Sequence, residues 1–135
     1  MNLVRKNISS GAHWEDIVGY SRAVKIGNIV EVAGTTAVDG DRVVGIGDAY
    51  EQTRYVLEKI SKVLEEAGAS LEEVIRTRMY VTDIENWEAI GRAHGEFFKS
   101  IKPAATMIEV SRLIKADLLV EIEVSAVITN NQKHS

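Results

Sequence analysis

From residue 118 to 128 the chain alternates strictly, with Leu118, Val120, Ile122, Val124, Ala126 and Ile128 on one side of an extended backbone and Glu121, Glu123 and Ser125 on the other. A period of two predicts a strand with one dry face and one polar face. The run before it alternates in the same way, Thr106, Ile108 and Val110 opposing Ala105, Met107, Glu109 and Ser111. If these two strands pair, their non-core faces make one partly polar surface, with Ala105 and Met107 beside Glu121. Function is expected on that surface.

Upstream, residues 1–18 are polar and mixed and read as an irregular arm or a short edge strand. Residues 20–26 and 29–38 are rich in β-branched side chains and are separated by Gly27-Asn28, a hairpin signal. A turn at 38–41 and a short strand at 42–44 complete an antiparallel meander. Gly45-Ile46-Gly47 then breaks the pattern, and no phosphate-loop or dinucleotide fingerprint surrounds it, so it reads as a turn. Asp48 is placed to cap a helix with Glu51 three residues on, and Val56, Leu57, Ile60, Val63, Leu64 and Ala67 recur at helical spacing until Gly68. A capping-box turn at 70–73 precedes a strand at 74–82 on which Arg76, Arg78 and Tyr80 share a face. Asp83 or Asn86 can cap a second helix striped by Trp87, Ile90, His94, Phe97 and Phe98, which Lys102-Pro103 ends.

The predicted order is therefore ββ(β)αβαββ, a single domain over 1–129 with a frayed tail at 130–135. Two helices placed among strands in this way pack on one face of a mixed sheet, which gives an α+β sandwich of two layers. The other face needs cover, and for a chain of 135 residues the economical cover is a second copy, so a homo-oligomer is expected.

Composition narrows the chemistry. With no cysteine, disulfides, thiolate nucleophiles and thiolate-bound metals are excluded. No apolar run is long enough to span a membrane, and the N-terminus lacks the apolar stretch of a secretory signal, so a cytoplasmic location is expected. Net charge is −4 with scattered lysines and arginines, which works against a nucleic-acid surface. His13 and His134 have no partner at metal-ligand spacing, and His94 stands alone within a helix, so a metal site is not expected. No Gly-x-Ser-x-Gly elbow supports a hydrolase triad.

Five stretches together resemble the Rid family, also called YjgF or endoribonuclease L-PSP: GYSRAV at 19–24, VAGT at 32–35, RTRMYVTD at 76–83, PAATMIEVSRL at 103–113 and VEIE at 120–123. They run in order across nearly the whole chain. The resemblance implies a chorismate-mutase-like fold, a homotrimer with its sheets forming a central barrel, and small-molecule clefts between subunits. It also implies cofactor-free hydrolysis of enamines or imines. By the same resemblance Tyr20, Gly34, Trp87 and Glu121 fall at cleft positions; Thr35, next to Gly34, and Met107, which the alternation sets on the face of Glu121, are further ligand-binding candidates. Three positions depart from the deaminase pattern: Ala33 stands for a serine, Gly91 for an asparagine, and Ala105 for the arginine that grips the substrate carboxylate. A methyl group cannot replace a guanidinium fork.

Several of these residues carry more than one reading. A carboxylate such as Glu121 among apolar neighbours would have a raised pKa and could position water or exchange a proton, with Tyr20 orienting the substrate; otherwise it is a structural interface residue. Arg22 and Arg78 are candidates to supply the missing positive charge, or else pair with Glu109, Glu121 or Glu123 across a subunit boundary. His94 is a general base or, more simply, a packing residue. Three functions follow: a deaminase lacking the usual carboxylate clamp, a non-catalytic metabolite-binding or chaperone-like trimer, and an endoribonuclease or translation inhibitor. The acidic balance speaks against the last.

Overall fold

The computed structural model describes residues 3–129, and the tail expected at 130–135 lies outside them. The described chain forms a six-stranded sheet in the order β1-β2-β3-β8-β6-β7. Its strands are β1 (Arg5–Ile8), β2 (Ala23–Ile26), β3 (Ile29–Thr36), β6 (Val74–Val81), β7 (Ala104–Glu109) and β8 (Val120–Val127), while β4 (Val38–Asp39) and β5 (Arg42–Val43) make a separate small ribbon. Three helices accompany them, α1 (His13–Val18), α2 (Ala49–Glu66) and α3 (Trp87–Phe98). This is the expected α+β sandwich with a mixed sheet. Among the described residues no helix is long and apolar enough to cross a membrane.

The meander folds as its turn chemistry dictates. Gly27 takes φ 59°, a conformation glycine adopts without a Cβ penalty, and closes β2 on β3 with Ile26 opposite Ile29. Asp48 Oδ1 accepts from the Glu51 amide at 3.0 Å to start α2, and Ser70 and Glu73 form the expected capping box. The dry residues of β8, from Leu118 to Ile128 in steps of two, are all buried with Val30, Val32, Met79 and Val81. Val56, Leu57, Ile60 and Leu64 of α2 and Ile90 and Phe98 of α3 close over them. Both long helices thus cover one face of the sheet, and the face bearing Glu31, Glu123, Ser125, Arg78 and Tyr80 is open within one chain.

Two expectations need correction. β7 does not pair with β8: it lies parallel to β6, with Arg78 opposite Thr106, while β8 inserts antiparallel between β3 and β6. Alternation reports which face a side chain takes but not which strand is the neighbour, and the α3 crossover that joins β6 to β7 delivers a parallel strand. Within residues 3–18 the short edge strand expected as one of two readings is present as β1, and what neither reading included is the six-residue α1. Helix α1 buries only Glu15, so its sequence has no apolar stripe to announce it.

Two polar residues, the buried Gln52 and the half-buried His94, tie the layers together. Gln52 of α2, fully buried, donates to the carbonyls of Gly45 (3.2 Å) and Asp117 (2.9 Å) and accepts from the Leu119 amide (2.8 Å). His94 Nε2 lies 2.9 Å from the Thr77 hydroxyl of β6, and its burial lowers its pKa below the usual histidine value. The unfolded chain therefore takes up this proton at a higher pH than the folded one, and stability should fall as pH drops below about 6.5. Urea unfolding at pH 7 and pH 5 checks this: the loss on acidification should be smaller for His94→Gln than for the parent. Equal losses would assign the pH dependence elsewhere.

Candidate functional site

The open face of the sheet supplies a site at the end of β3. A register shift between Val32 and Thr35 makes a bulge there that holds Ala33 and Gly34. Glu121, opposite Thr36 on β8, lays its carboxylate against the Cα of Gly34, leaving no room for a Cβ. Glycine at 34 is thus a matter of space. Among the described residues the Glu121 carboxylate accepts no hydrogen bond and joins no ion pair. Burial raises its pKa, Arg22 pulls it back down, and Glu123 adds to the rise.

Arg22 enters from the segment before β2, fixed by hydrogen bonds from its amide to Ile8 O (2.8 Å) and from the Ala33 amide to its carbonyl (3.0 Å). Its Nη2 donates to Gly34 O at 2.5 Å, and its Nε is buried without a partner. The Tyr20 ring lies 5.9 Å from the guanidinium carbon. Arg22 therefore makes no ion pair within the described chain. Arg78 does: it lies 3.9 Å from Glu123, which also accepts from the Tyr80 hydroxyl at 2.9 Å, a bond that raises the Tyr80 pKa. Arg76 reaches Thr106 across β7 at 2.6 Å. The pairing considered for Arg78 thus forms inside one chain, on a half-exposed face where such a pair contributes little.

Beside this site is a depression of about 660 Å³, lined among others by Tyr20, Ala33, Glu15, Glu31, Glu123 and Arg5. Glu15 of α1 stands at its edge, held by the Ser10 hydroxyl and amide, and the hydroxyl is the chief cause of its lowered pKa. Lys59 of α2 approaches the same strand from the helix side, donating to Thr36 O (3.0 Å) and Val38 O (2.9 Å). Burial lowers its pKa, and Arg22 adds to that effect. Neither Glu15 nor Lys59 stands out in the sequence, because each is an ordinary charged residue on a helix.

The structure sorts the sequence candidates into two groups. Tyr20, Arg22, Gly34, Arg78 and Glu121 gather on or beside the open face. Thr35 turns the other way: it pairs with Ile122, is buried, and its hydroxyl donates to Ala33 O at 2.8 Å. Ala105 and Met107 do not share a face with Glu121, a correction that follows from the register, which sets them opposite Thr77 and Met79 on the helix-covered side. Trp87 and Gly91 are exposed on α3, in the helical layer. One chain therefore does not unite the two groups. Among the described residues no cluster of histidine, aspartate and glutamate could hold a metal ion.

Known proteins match this chain along most of its length. The family profile described as endoribonuclease L-PSP matches residues 11–128. A crystal structure of a YjgF/YER057c/UK114 family member from Mycobacterium tuberculosis is 46% identical and superposes with a TM-score of 0.84, covering 93% of this chain and 100% of that one. An uncharacterised protein of Streptomyces coelicolor is 41% identical over 121 residues, 90% of each chain. The 3-aminoacrylate deaminase RutC of Acinetobacter baylyi is 39% identical over 104 residues, 76% of this chain and 82% of that protein. With the family profile matching nearly the whole described chain and relatives at 39% to 46% identity, the chain belongs to the YjgF/Rid family, the endoribonuclease L-PSP family.

Proposed function

We propose that the chain works as a homotrimer whose intersubunit clefts bind a small metabolite and hydrolyse an enamine or imine, without a carboxylate clamp at Ala105. The observation that carries this reading is Glu121, a half-buried carboxylate with a raised pKa and no hydrogen-bond partner among the described residues. A carboxylate whose proton affinity is raised in this way is suited both to accept and to return a proton. Protonated Glu121 gives its proton to the enamine carbon, forming an iminium; water adds to the iminium carbon as the Glu121 carboxylate takes the water proton; that proton passes to nitrogen, the C–N bond breaks with its electron pair leaving on ammonia, and the hydroxyl proton returns to Glu121 as the carbonyl forms. Tyr20 would orient the substrate from the rim. The trimer is supported by the separation just described, since Trp87, Gly91, Ala105 and Met107 could meet Glu121 only across a boundary between chains.

The similarity to a 3-aminoacrylate deaminase makes 3-aminoacrylate the first compound to try. Its decay, generated fresh and followed in the presence of protein, should accelerate with the parent and return to the spontaneous rate with a folded Glu121→Gln variant. Ala105→Arg should improve the hydrolysis of 2-imino acids, whose carboxylate the new guanidinium would grip. If none of the three proteins changes either decay, the reading as an enzyme is wrong. The non-catalytic binding trimer, which the methyl side chain at 105 favours, then takes its place.

A further inference from the structure

The roles open to Arg22 are narrowed by its contacts. A guanidinium that clamps a ligand needs a free fork, whereas Nη2 of Arg22 is committed to Gly34 O at 2.5 Å and Nε is buried. Its backbone is held on both sides, by Ile8 and by Ala33. An arginine so fixed does not move to meet a substrate. What it holds is the bulge, and the other side of the same glycine carries the Glu121 carboxylate.

We propose that Arg22 is the positioning residue for Glu121: its Nη2 pins the Gly34 carbonyl in the bulge against which the Glu121 carboxylate rests. This deepens, and rests on, the reading of Glu121 as the proton-transfer group. The other charges around Glu121 are accounted for. From its own strand Glu123 opposes ionisation, but Glu123 is shared between the Tyr80 hydroxyl and Arg78 of β6. From α2, Lys59 is spent on the Thr36 and Val38 carbonyls. From β3, Gly34 and Thr36 bring no charge. Arg22 is the cation whose pull on Glu121 opposes burial.

The test reads both ends of the pair in the intact protein. Carboxyl-carbon NMR should follow Glu121 through its titration in the parent, in Arg22→Gln, which keeps a donor for Gly34 O but no charge, and in Arg22→Lys, which keeps the charge. The Glu121 midpoint should rise in Arg22→Gln and stay near the parental value in Arg22→Lys. The acid limb of the 3-aminoacrylate rate profile should move upward with it. Reciprocally, the Arg22 Nε–H resonance should shift in Glu121→Gln, a readout that serves if Arg22→Gln fails to fold. An unmoved Glu121 midpoint in folded Arg22→Gln, or an unmoved Arg22 resonance in Glu121→Gln, overturns the proposal. If the titration moves as expected but no protein hydrolyses the enamine, Arg22 positions Glu121 and the deaminase reading fails on its own.

Discussion

Gly34→Ala should leave the protein folded and lower Glu121-dependent turnover roughly 100-fold, the loss expected when a reacting group is displaced by about 1 Å. The added methyl would occupy the space of the Glu121 carboxylate. Gly34 does not have a positive φ, so alanine meets no backbone strain there. The atoms in the way belong to the outer part of a flexible side chain, which can swing aside. Stability should therefore change by less than about 1 kcal/mol, while the geometry that sets Glu121 against the bulge is lost. Thermal melting and 3-aminoacrylate decay, measured on the same preparation, separate the two effects. A large drop in melting temperature would mean that the bulge, and not the carboxylate, gives way.

Gln52→Leu should lower the unfolding free energy by about 2 kcal/mol, since it takes the partner from the part-buried Leu119 amide and Asp117 carbonyl, while the Gly45 carbonyl keeps the Asp48 amide at 2.9 Å. Leucine is close to glutamine in size, so the cavity contribution is small and the loss is one of hydrogen bonding. The partners of Gln52 lie at Gly45 and at 117–119, on either side of α2's entry and just ahead of β8. Urea unfolding at one fixed protomer concentration checks the figure, because oligomer dissociation would otherwise shift the midpoint. A loss under about 1 kcal/mol would show that water reaches these groups.

These two residues also mark what the sequence discloses. Gln52 lies four residues before Val56 and so on the apolar stripe of α2, where a polar residue signals a buried hydrogen-bonding task. Its partners, 65 and 67 residues away for Asp117 and Leu119, leave no local trace. The inward set of β8 is fully legible, because a period of two over 118–128 permits only one division into faces. The faces of Ala105 and Met107 are not, because parity within one strand fixes nothing about another strand until their register is known. Arg22 shows the same limit. Its identity is plain in GYSRAV, but its attachment to Gly34 depends on a bulge that no local pattern encodes.

The place of β8 has a consequence for how the protein is made. Of the described strands, β8 comes last in chain order and lies between β3 and β6, and both of those wait for it with unpaired backbone along one side. A growing chain on the ribosome can close the β1-β2-β3 meander and the β6-α3-β7 unit early, yet it holds them as two unjoined half-sheets until β8 emerges. Glu121 arrives with that strand. The carboxylate proposed for proton transfer and the strand that joins the two half-sheets are thus delivered together, and a chain cut short before residue 120 has neither.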